Sequence, residues 1–231
     1  MNPADDLRAP QTEQELAAFL ARASFYFNQA FYFMGQQTWR NTRWMGVTIF
    51  KTPTDMWVYQ EILRETQPTL IIETGTAYCG SALFLAQVGA LACPAGIRVV
   101  TVDITNAEPT KTLVNHPAIT YVTGSSTDPQ IVANIRAHVR PSDRVMVVLD
   151  SDHSAAHVKA ELDLYAPLVT PGCYLIVEDT NVNGHPVFPL HGPGPMEAID
   201  QFLPNHPEFE IDASREKYML TFNPRGYLRR K

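Results

Sequence analysis

The sequence is poor in positive charge, in paired cysteines and in long apolar runs. Its 18 Lys and Arg residues are outnumbered by 24 Asp and Glu, which gives a net charge of −6; binding to a nucleic-acid backbone requires a basic surface. The three cysteines form no Cys-x-x-Cys pair, and an odd number favours reduced thiols. No stretch approaches the roughly 18 apolar residues of a membrane span. We therefore expect neither nucleic acid as the main partner nor a membrane span.

The N-terminal segment Met1–Leu7 is polar and acidic, unlike a secretion signal. Together with reduced cysteines, this leads us to expect a cytoplasmic protein. A length of 231 residues, 45% of them hydrophobic and 18% charged, suits one large α/β domain or one domain with an appendage.

From residue 69 onward, short apolar runs rich in β-branched residues alternate with helical patterns. Such an alternation predicts a mostly parallel sheet with helices on both faces. The predicted strands are 70–73, 98–103, 119–122, 145–150 and 174–178, with helices at 81–90, 129–139 and 154–165. Segments 209–212 and 217–222 are interpreted as a closing strand pair. We predict an α/β fold with an N-terminal helical extension over residues 1–66 and one compact domain over residues 67–231.

A helix is predicted near the N-terminus, because Thr12 and Glu15 have the spacing of a capping box. Apolar residues then recur at every third or fourth position, and the segment 25–34 is unusually aromatic. We interpret this helix as packed on the domain or on another subunit, and its aromatic surface favours a homo-oligomer. A lid over the substrate is the alternative.

A second helix is predicted with its cap near Thr54. Three cations precede it: Arg40, Arg43 and Lys51. We interpret them as solvated surface charges, with neutralisation of an anionic part of a substrate as the alternative.

Acidic residues directly follow two of the predicted strands. One strand ends in Asp150, with Asp152 and His153 just beyond it, and a later strand ends in Glu178 and Asp179. These side chains are expected at one edge of the sheet, because ligands bind beyond the carboxyl ends of the strands in open α/β sheets. Mg²⁺ prefers oxygen ligands, so Asp150, Glu178 and Asp179 are predicted to hold it. Asp152 is the alternative to Asp150, although its position suits the start of the next helix.

A glycine-containing turn follows the first predicted strand of the sheet. Gly80 and Ser81 are adjacent, without the lysine that a phosphate-binding P-loop places between them. Ala77 stands where the dinucleotide fingerprint has a glycine. An acid at the strand end, Glu73, followed by a looser turn at Gly75, resembles instead the first motif of the S-adenosylmethionine-dependent methyltransferases.

Two later segments complete the predicted cofactor site. Asp103 ends the next strand, where it is placed to accept hydrogen bonds from ribose hydroxyls, and Ser125 and Ser126 follow the third strand and are expected to border the adenine. The predicted cofactor-binding residues are Glu73, Gly75, Thr76, Tyr78, Gly80, Ser81, Asp103, Ser125, Ser126 and Asp150.

Longer motifs resemble the rhamnosyl O-methyltransferases, which belong with the cephalosporin hydroxylase-like family. The matching segments are 57–63, 72–82, 125–129, 149–154, 177–187 and 192–199. The resemblance extends from about Trp39 to residues 226–230 and does not cover the first 38 residues. Where relatives often have a Gly-Gly pair, this chain departs from the pattern with Tyr78, Cys79 and Gly80.

The resemblance implies a Rossmann-like methyltransferase fold that binds S-adenosylmethionine and carries a Mg²⁺ site. The family's metal ligands fall on Asp150, Glu178 and Asp179, and its cofactor loop falls on residues 73–76. The implied activity is Mg²⁺-dependent transfer of a methyl group from S-adenosylmethionine to a hydroxyl of a sugar or of a glycosylated small molecule.

A hydroxyl must lose its proton to accept a methyl group. Mg²⁺ lowers the pKa of a bound hydroxyl, and a nearby histidine can take the proton. His153 is the predicted base, because it lies at the same edge as Asp150. His185 is the alternative, in the Pro- and Gly-rich loop 180–195, which is also expected to present His191.

Three other functions compete with this prediction. An enzyme of antibiotic hydroxylation or methoxylation is suggested by the family name alone. A non-catalytic cofactor-binding partner would have no need of the acidic cluster. A nicotinamide oxidoreductase is disfavoured by Ala77.

Overall fold

The computed structural model describes residues 10–33, 38–105 and 113–231. The strands are β1 (Arg43–Trp44), β2 (Val47–Thr48), β3 (Leu70–Thr74), β4 (Arg98–Asp103), β5 (Ile119–Thr123), β6 (Val145–Leu149), β7 (Tyr174–Val177), β8 (Phe209–Ile211) and β9 (Tyr227–Arg230). The α-helices are α1 (Glu13–Phe33), α2 (Pro53–Thr66), α3 (Gly80–Ala92), α4 (Pro129–Ala137), α5 (Ala155–Tyr165) and α6 (Pro195–Phe202).

The centre of the molecule is a seven-stranded sheet in the order β5-β4-β3-β6-β7-β9-β8. The first five strands in that order are parallel, and β9 pairs antiparallel with both β7 and β8. All residues of β3, β6 and β7 are buried, as is typical of strands covered on both faces. The predicted Rossmann-like α/β fold is confirmed.

Helices cover both faces of the sheet, as predicted. Successive residues of β6 point to opposite faces, so that Val147 packs in a cluster with α4, α5 and α6, whereas Val148 packs in a cluster with α2 and α3. α2, which the sequence prediction assigns to the N-terminal extension, therefore contributes to the same core as the sheet.

The N-terminal extension begins with the predicted capping box. Thr12 Oγ1 accepts from the Glu15 amide at 3.1 Å, and the Glu15 carboxylate accepts from the Thr12 amide at 3.3 Å. The second half of α1 docks on the domain through Asn28 and Tyr32, while most side chains of the first half are exposed. Met34, at the end of the predicted aromatic segment, lies outside the described residues. Within the described ranges, the structure contains no helix that could span a membrane.

Two local predictions are corrected. α2 is capped by Thr52 rather than Thr54, because Thr52 Oγ1 accepts from the Asp55 amide and proline occupies the first turn. Segment 217–222 is not a strand, and β9 is the partner of β8 instead. Met219 adopts a left-handed φ of 61°, which breaks the extended conformation, and the Phe222 amide donates to Asp55 rather than to a neighbouring strand.

Candidate active site

Two adjoining cavities open at the carboxyl ends of the parallel strands. The larger, of about 470 Å³, is called here the carboxylate cavity because Asp150, Glu178 and Asp179 line it. The smaller, of about 320 Å³, is called the turn cavity because Gly75 and Ala77, in the turn after β3, line it. Asp150 and Gly75 belong to the walls of both cavities. Ligands bound in the two cavities would therefore meet at the end of β6.

The backbone of Gly75 brings the two cavities together. Its φ is +89°, and a Cβ at this position would lie 1.8 Å from the carbonyl oxygen of Asp150. Only a residue without a side chain permits this approach. The Asp150 amide also donates to the Thr74 carbonyl at 3.0 Å. The turn after β3 consequently lies directly against Asp150, the residue that follows β6.

Asp150, His153 and Asp179 form the polar centre of the carboxylate cavity. One possible ligand atom from each lies within 4.8 Å of the others, and His153 Nε2 is 3.1 Å from Asp179 Oδ2. Burial raises the pKa of Asp150 to about 7, although Lys51 opposes the shift. Burial also raises the pKa of Asp179. Burial lowers the pKa of the His153 imidazole, but the surrounding carboxylates outweigh it and the net shift is upward. The cluster formed by these three side chains can therefore bind either a proton or a metal cation.

Glu178, a predicted metal ligand, is bonded to two side chains outside the predicted site. Lys51 Nζ lies 2.7 Å from Glu178 Oε1 and 2.9 Å from Asp150 Oδ2, and the Tyr59 hydroxyl donates to the same Glu178 oxygen. The interpretation of Lys51 as a solvated surface charge is wrong, since the residue is only 6% exposed. Its sequence neighbours give no signal of this burial, because the two acids that surround it lie far along the chain.

Left-handed backbone conformations cluster around the carboxylate cavity. Phe50, Ala77 and Asp179 have φ values of 57°, 42° and 54°. Such conformations are costly for residues other than glycine and persist only where the surroundings hold them. Asp179 is held by Asn223, whose Oδ1 accepts from the Asp179 amide at 3.1 Å. The left-handed backbone conformation thereby fixes the position of the Asp179 Cβ, and with it the origin of the carboxylate side chain.

Aromatic rings form one wall of the carboxylate cavity. Tyr32 of α1 stacks on Trp39 with ring centroids 5.3 Å apart, and Phe222 lies edge-on to Tyr32 at 5.6 Å. Phe188, from the loop after β7, and Tyr78, from the turn after β3, also line the cavity. The N-terminal helix and the long loop therefore both contribute to the same site.

Most of the predicted cofactor-binding residues line one of the two cavities. They are Gly75, Thr76, Tyr78, Gly80, Ser81 and Asp150 in the carboxylate cavity, and Gly75, Asp103, Ser126 and Asp150 in the turn cavity. Among the described residues that line these cavities, neither Glu73 nor Ser125 is found. Glu73 is fully buried beneath the turn, where the Thr101 hydroxyl donates to it at 2.7 Å, and the Ser125 hydroxyl bonds to that of Thr127.

Asp103 has a local structural role in the turn cavity. Its carboxylate accepts from the Ala77 amide at 2.9 Å and from the Thr105 amide at 3.2 Å. Asp103, the last residue of β4, therefore fixes the conformation of the turn after β3. It also lines the turn cavity. Asp152, the alternative metal ligand, accepts from the Ser154 amide at 2.8 Å at the start of α5, and lines the turn cavity.

A buried acid on α5 supports the floor of the turn cavity. Glu161 has no exposed surface, and it accepts from the Ser151 hydroxyl at 2.7 Å and lies 3.4 Å from His157 Nε2. The same imidazole nitrogen is 3.0 Å from the Ser126 hydroxyl. The sequence does not predict this arrangement, although positions 157 and 161 lie one turn apart on the predicted helix 154–165.

The structure separates His185 from the predicted base site. His185 Nε2 lies 2.8 Å from the Glu197 carboxylate, and it lines a depression beside α1 with Ser24 and Asn28. Burial raises the pKa of Glu197, but the hydrogen bonds that it accepts bring that pKa down to about 2. His191, from the same loop, does line the carboxylate cavity. His153 is thus the predicted base that lies beside Asp150.

Comparison with known proteins identifies a family for this chain. Residues 36–231 match the family described as Rhamnosyl O-methyltransferase/CmcI. The rhamnosyl O-methyltransferase of Mycobacterium tuberculosis (strain ATCC 25618 / H37Rv) is 42% identical over 201 residues, which cover 85% of this chain and 81% of that protein. The rhamnosyl O-methyltransferase of Mycobacterium leprae (strain TN) is 41% identical over 203 residues, covering 87% and 88%.

Solved structures share the fold. A structure of CmcI with Mg and SAM superposes with a TM-score of 0.63 and 19% identity, covering 83% of this chain and 77% of that one. An O-methyltransferase from Bacillus cereus in complex with SAH gives a TM-score of 0.52 and 16% identity, covering 90% and 86%.

Proposed function

The chain belongs to the Rhamnosyl O-methyltransferase/CmcI family and is an S-adenosylmethionine-dependent O-methyltransferase; we propose that it methylates a hydroxyl of a sugar or of a glycosylated small molecule, with Mg²⁺ at Asp150. The observation that carries the proposal is the meeting of the two cavities at Asp150, with His153 and Asp179 beside it. A donor bound in one cavity and an acceptor bound in the other would lie on either side of this residue.

The donor set of the carboxylate cavity fits Mg²⁺. Asp150 and Asp179 offer carboxylate oxygens within 4.8 Å of each other, and oxygen is the ligand that this ion prefers. Glu178, the third predicted ligand, is adjacent but is bonded to Lys51 and Tyr59. When bound, Mg²⁺ lowers the pKa of a coordinated hydroxyl and orients it.

The turn cavity suits the nucleoside part of S-adenosylmethionine. Its wall contains the Asp103 carboxylate, for ribose hydroxyls, and the Ser126 hydroxyl and His157 imidazole, for the edge of a base. The sulfonium of this cofactor supplies the methyl group. Because Gly75 and Asp150 line both cavities, the reactive end of the cofactor would point toward the carboxylate cavity.

The acceptor is assigned to the carboxylate cavity. Its aromatic wall, which includes Tyr32, Trp39 and Phe222, offers flat apolar faces to a ring or to an attached apolar group. Its opposite side offers carboxylates for hydroxyls. A molecule with both characters, such as a glycosylated natural product, matches this lining.

His153 is proposed as the general base. Its imidazole lies beside Asp179 at 3.1 Å, which holds the ring at the edge of the cavity and stabilises the proton that it takes up. Such a base contributes a factor on the order of 10²–10⁴ to the rate. Replacement of His153 by Ala should reduce kcat by about that factor, whereas His185→Ala should leave kcat nearly unchanged because His185 lies outside the cavity.

The Mg²⁺ proposal is tested by replacing each of the two candidate aspartates separately with alanine. Asp150→Ala should abolish methylation, measured by mass spectrometry over a panel of glycosylated acceptors with and without Mg²⁺, while S-adenosylmethionine still binds in titration calorimetry. Asp152→Ala should retain Mg²⁺-dependent activity, because its carboxylate accepts from the Ser154 amide and lines the turn cavity. Full activity of Asp150→Ala in chelator-treated buffer would contradict the proposal. If no sugar acceptor is methylated but a β-lactam is converted, the alternative of an enzyme of antibiotic hydroxylation or methoxylation would be favoured.

A further inference from the structure

Lys51 is a buried ammonium at the place where the carboxylates of the site converge. Its side chain is 7% exposed, and Nζ lies 2.7 Å from Glu178 Oε1 and 2.9 Å from Asp150 Oδ2. Nζ also lies 5.8 Å from the centre of the Tyr59 ring. Lys51 does not come from the sheet, but from the segment between β2 and α2. It therefore links the N-terminal part of the chain to the ends of β6 and β7.

The surroundings of Lys51 explain why an ammonium is retained there. Burying a lone charge is strongly unfavourable, and a buried charge persists when it is paired and hydrogen-bonded. Burial would lower the pKa of Lys51, but Asp150 and Glu178 raise it, and the net shift is upward. Without this cation, Asp150, Glu178 and Asp179 would bring three carboxylates together, with the imidazoles of His153 and His191 near Asp179.

We propose that Lys51 is a positioning residue that acts as a resident cation: it holds Asp150 and Glu178 together in the metal-free protein and competes with Mg²⁺ for them. This inference rests on the proposed function, because it assumes that Mg²⁺ binds at Asp150. The competition follows from charge, since the ammonium is bonded to Asp150, where Mg²⁺ is proposed to bind, and to Glu178, the third predicted ligand. Lys51 thereby keeps the site assembled before metal binds and sets how much Mg²⁺ is needed.

Two consequences follow for Lys51→Met, which keeps an unbranched side chain but removes the charge. The metal-free variant should lose roughly 10 °C in Tm, because removing one partner of a buried ion pair leaves uncompensated charge. Mg²⁺ should bind at least about tenfold more tightly than in the wild type, because the competing charge is gone. Saturating Mg²⁺ should therefore raise the Tm of Lys51→Met more than that of the wild type.

The experiment combines titration calorimetry with MgCl₂ and thermal unfolding with and without MgCl₂, neither of which needs an acceptor. Lys51→Arg retains the charge and should stay closer to the wild type than Lys51→Met in both measurements. Lys217→Met is the matched control, because Lys217 forms a partly exposed ion pair with Glu61; it should leave the Mg²⁺ affinity unchanged.

A double variant keeps the test decisive if Lys51→Met does not fold. Lys51→Met with Glu178→Gln removes a carboxylate together with the ammonium, and it should fold and recover part of the lost Tm. Failure of the double variant to fold would overturn the inference, because uncompensated charge would then not be the cause of the loss.

The remaining outcomes separate this inference from the proposed function. Unchanged or weaker Mg²⁺ binding by Lys51→Met, with normal binding by the wild type, overturns the inference alone. A wild-type protein that binds no Mg²⁺ contradicts the metal in the proposed function and the competition together.

Discussion

At the scale of single residues, a buried acid connects the elements that surround the site. Asp55 of α2 has almost no exposed surface, and it accepts from the Phe222 amide and from the Tyr227 hydroxyl, each at 2.9 Å. Burial raises its pKa from 3.8 to about 6. Its hydrogen bonds connect α2 to the segment that supplies the aromatic wall and to β9.

The raised pKa of Asp55 predicts a pH dependence of stability. Between pH 3.8 and about 6 the folded protein holds a proton that the unfolded chain has released, so the contribution of this carboxyl to the free energy of unfolding falls as pH rises. Asp55→Asn removes that dependence. The free energy of unfolding of the variant minus that of the wild type should therefore increase from pH 4 to pH 7 in urea titrations. Asp200→Asn, in an exposed ion pair with Arg225, is the control, and an equal slope for both variants would contradict the prediction.

A second prediction concerns Gly75, and substitution of another glycine, Gly96, serves as its control. Gly75→Ala should lose both stability and S-adenosylmethionine binding, because the new Cβ would collide with the Asp150 carbonyl. Gly96 has a similar φ of +85°, but among the described residues nothing lies within 4 Å of its Cβ position. Gly96→Ala should cost only the roughly 1–2 kcal/mol of a left-handed residue. Thermal unfolding and titration calorimetry measure both, and equal losses would show that the close approach is unimportant.

At the scale of elements, helix starts are the features that the sequence marks most directly. Asp128 caps α4, and its Oδ1 accepts from the amides of Gln130 at 2.8 Å and Ile131 at 3.3 Å. Ser154 occupies the equivalent position of α5, but its side chain makes no capping bond within the described part of the chain.

This difference between the two caps predicts different costs of substitution. Asp128→Ala should lower the free energy of unfolding by about 1 kcal/mol, because two amides of the first turn lose their acceptor. Ser154→Ala should cost clearly less. Guanidinium unfolding monitored by circular dichroism measures both values, and a larger loss for Ser154→Ala would contradict this view of the caps.

At the scale of the whole molecule, the C-terminal strand completes the sheet. β9 lies between β7 and β8, and Leu228 in it has no exposed surface. Leu228→Ala should reduce the free energy of unfolding by about 2–5 kcal/mol, because it removes buried methyl groups and leaves a cavity. Leu190→Ala is the control, since Leu190 is 96% exposed and its loss should be near zero. Equal unfolding midpoints for the two variants in guanidinium would show that β9 is not part of the core.

The first half of α1 exposes apolar side chains. Leu16, Phe19 and Leu20 are each more than 40% exposed, although the helix spacing of the apolar residues is as predicted. Self-association through this surface stays a prediction, and sedimentation of the full chain would test it.

The succession of parallel strands and helices along the chain and the acidic edge were accessible from the sequence. Buried parallel strands read as short β-branched runs, and the acids at the ends of β6 and β7 stand where such runs stop. Asp150, Glu178 and Asp179 could therefore be placed at one edge, because parallel strands bring their carboxyl ends together.

The partners of those acids follow from the packing of the folded chain and not from any local pattern. Lys51 and Tyr59 precede Glu178 by 127 and 119 residues, so no local pattern predicts that they bury their polar groups against it. The same holds for the separation of His153 from His185, because the loop after β7 has no periodicity from which its path follows. Periodicity determines elements, whereas contacts between distant elements depend on how those elements pack.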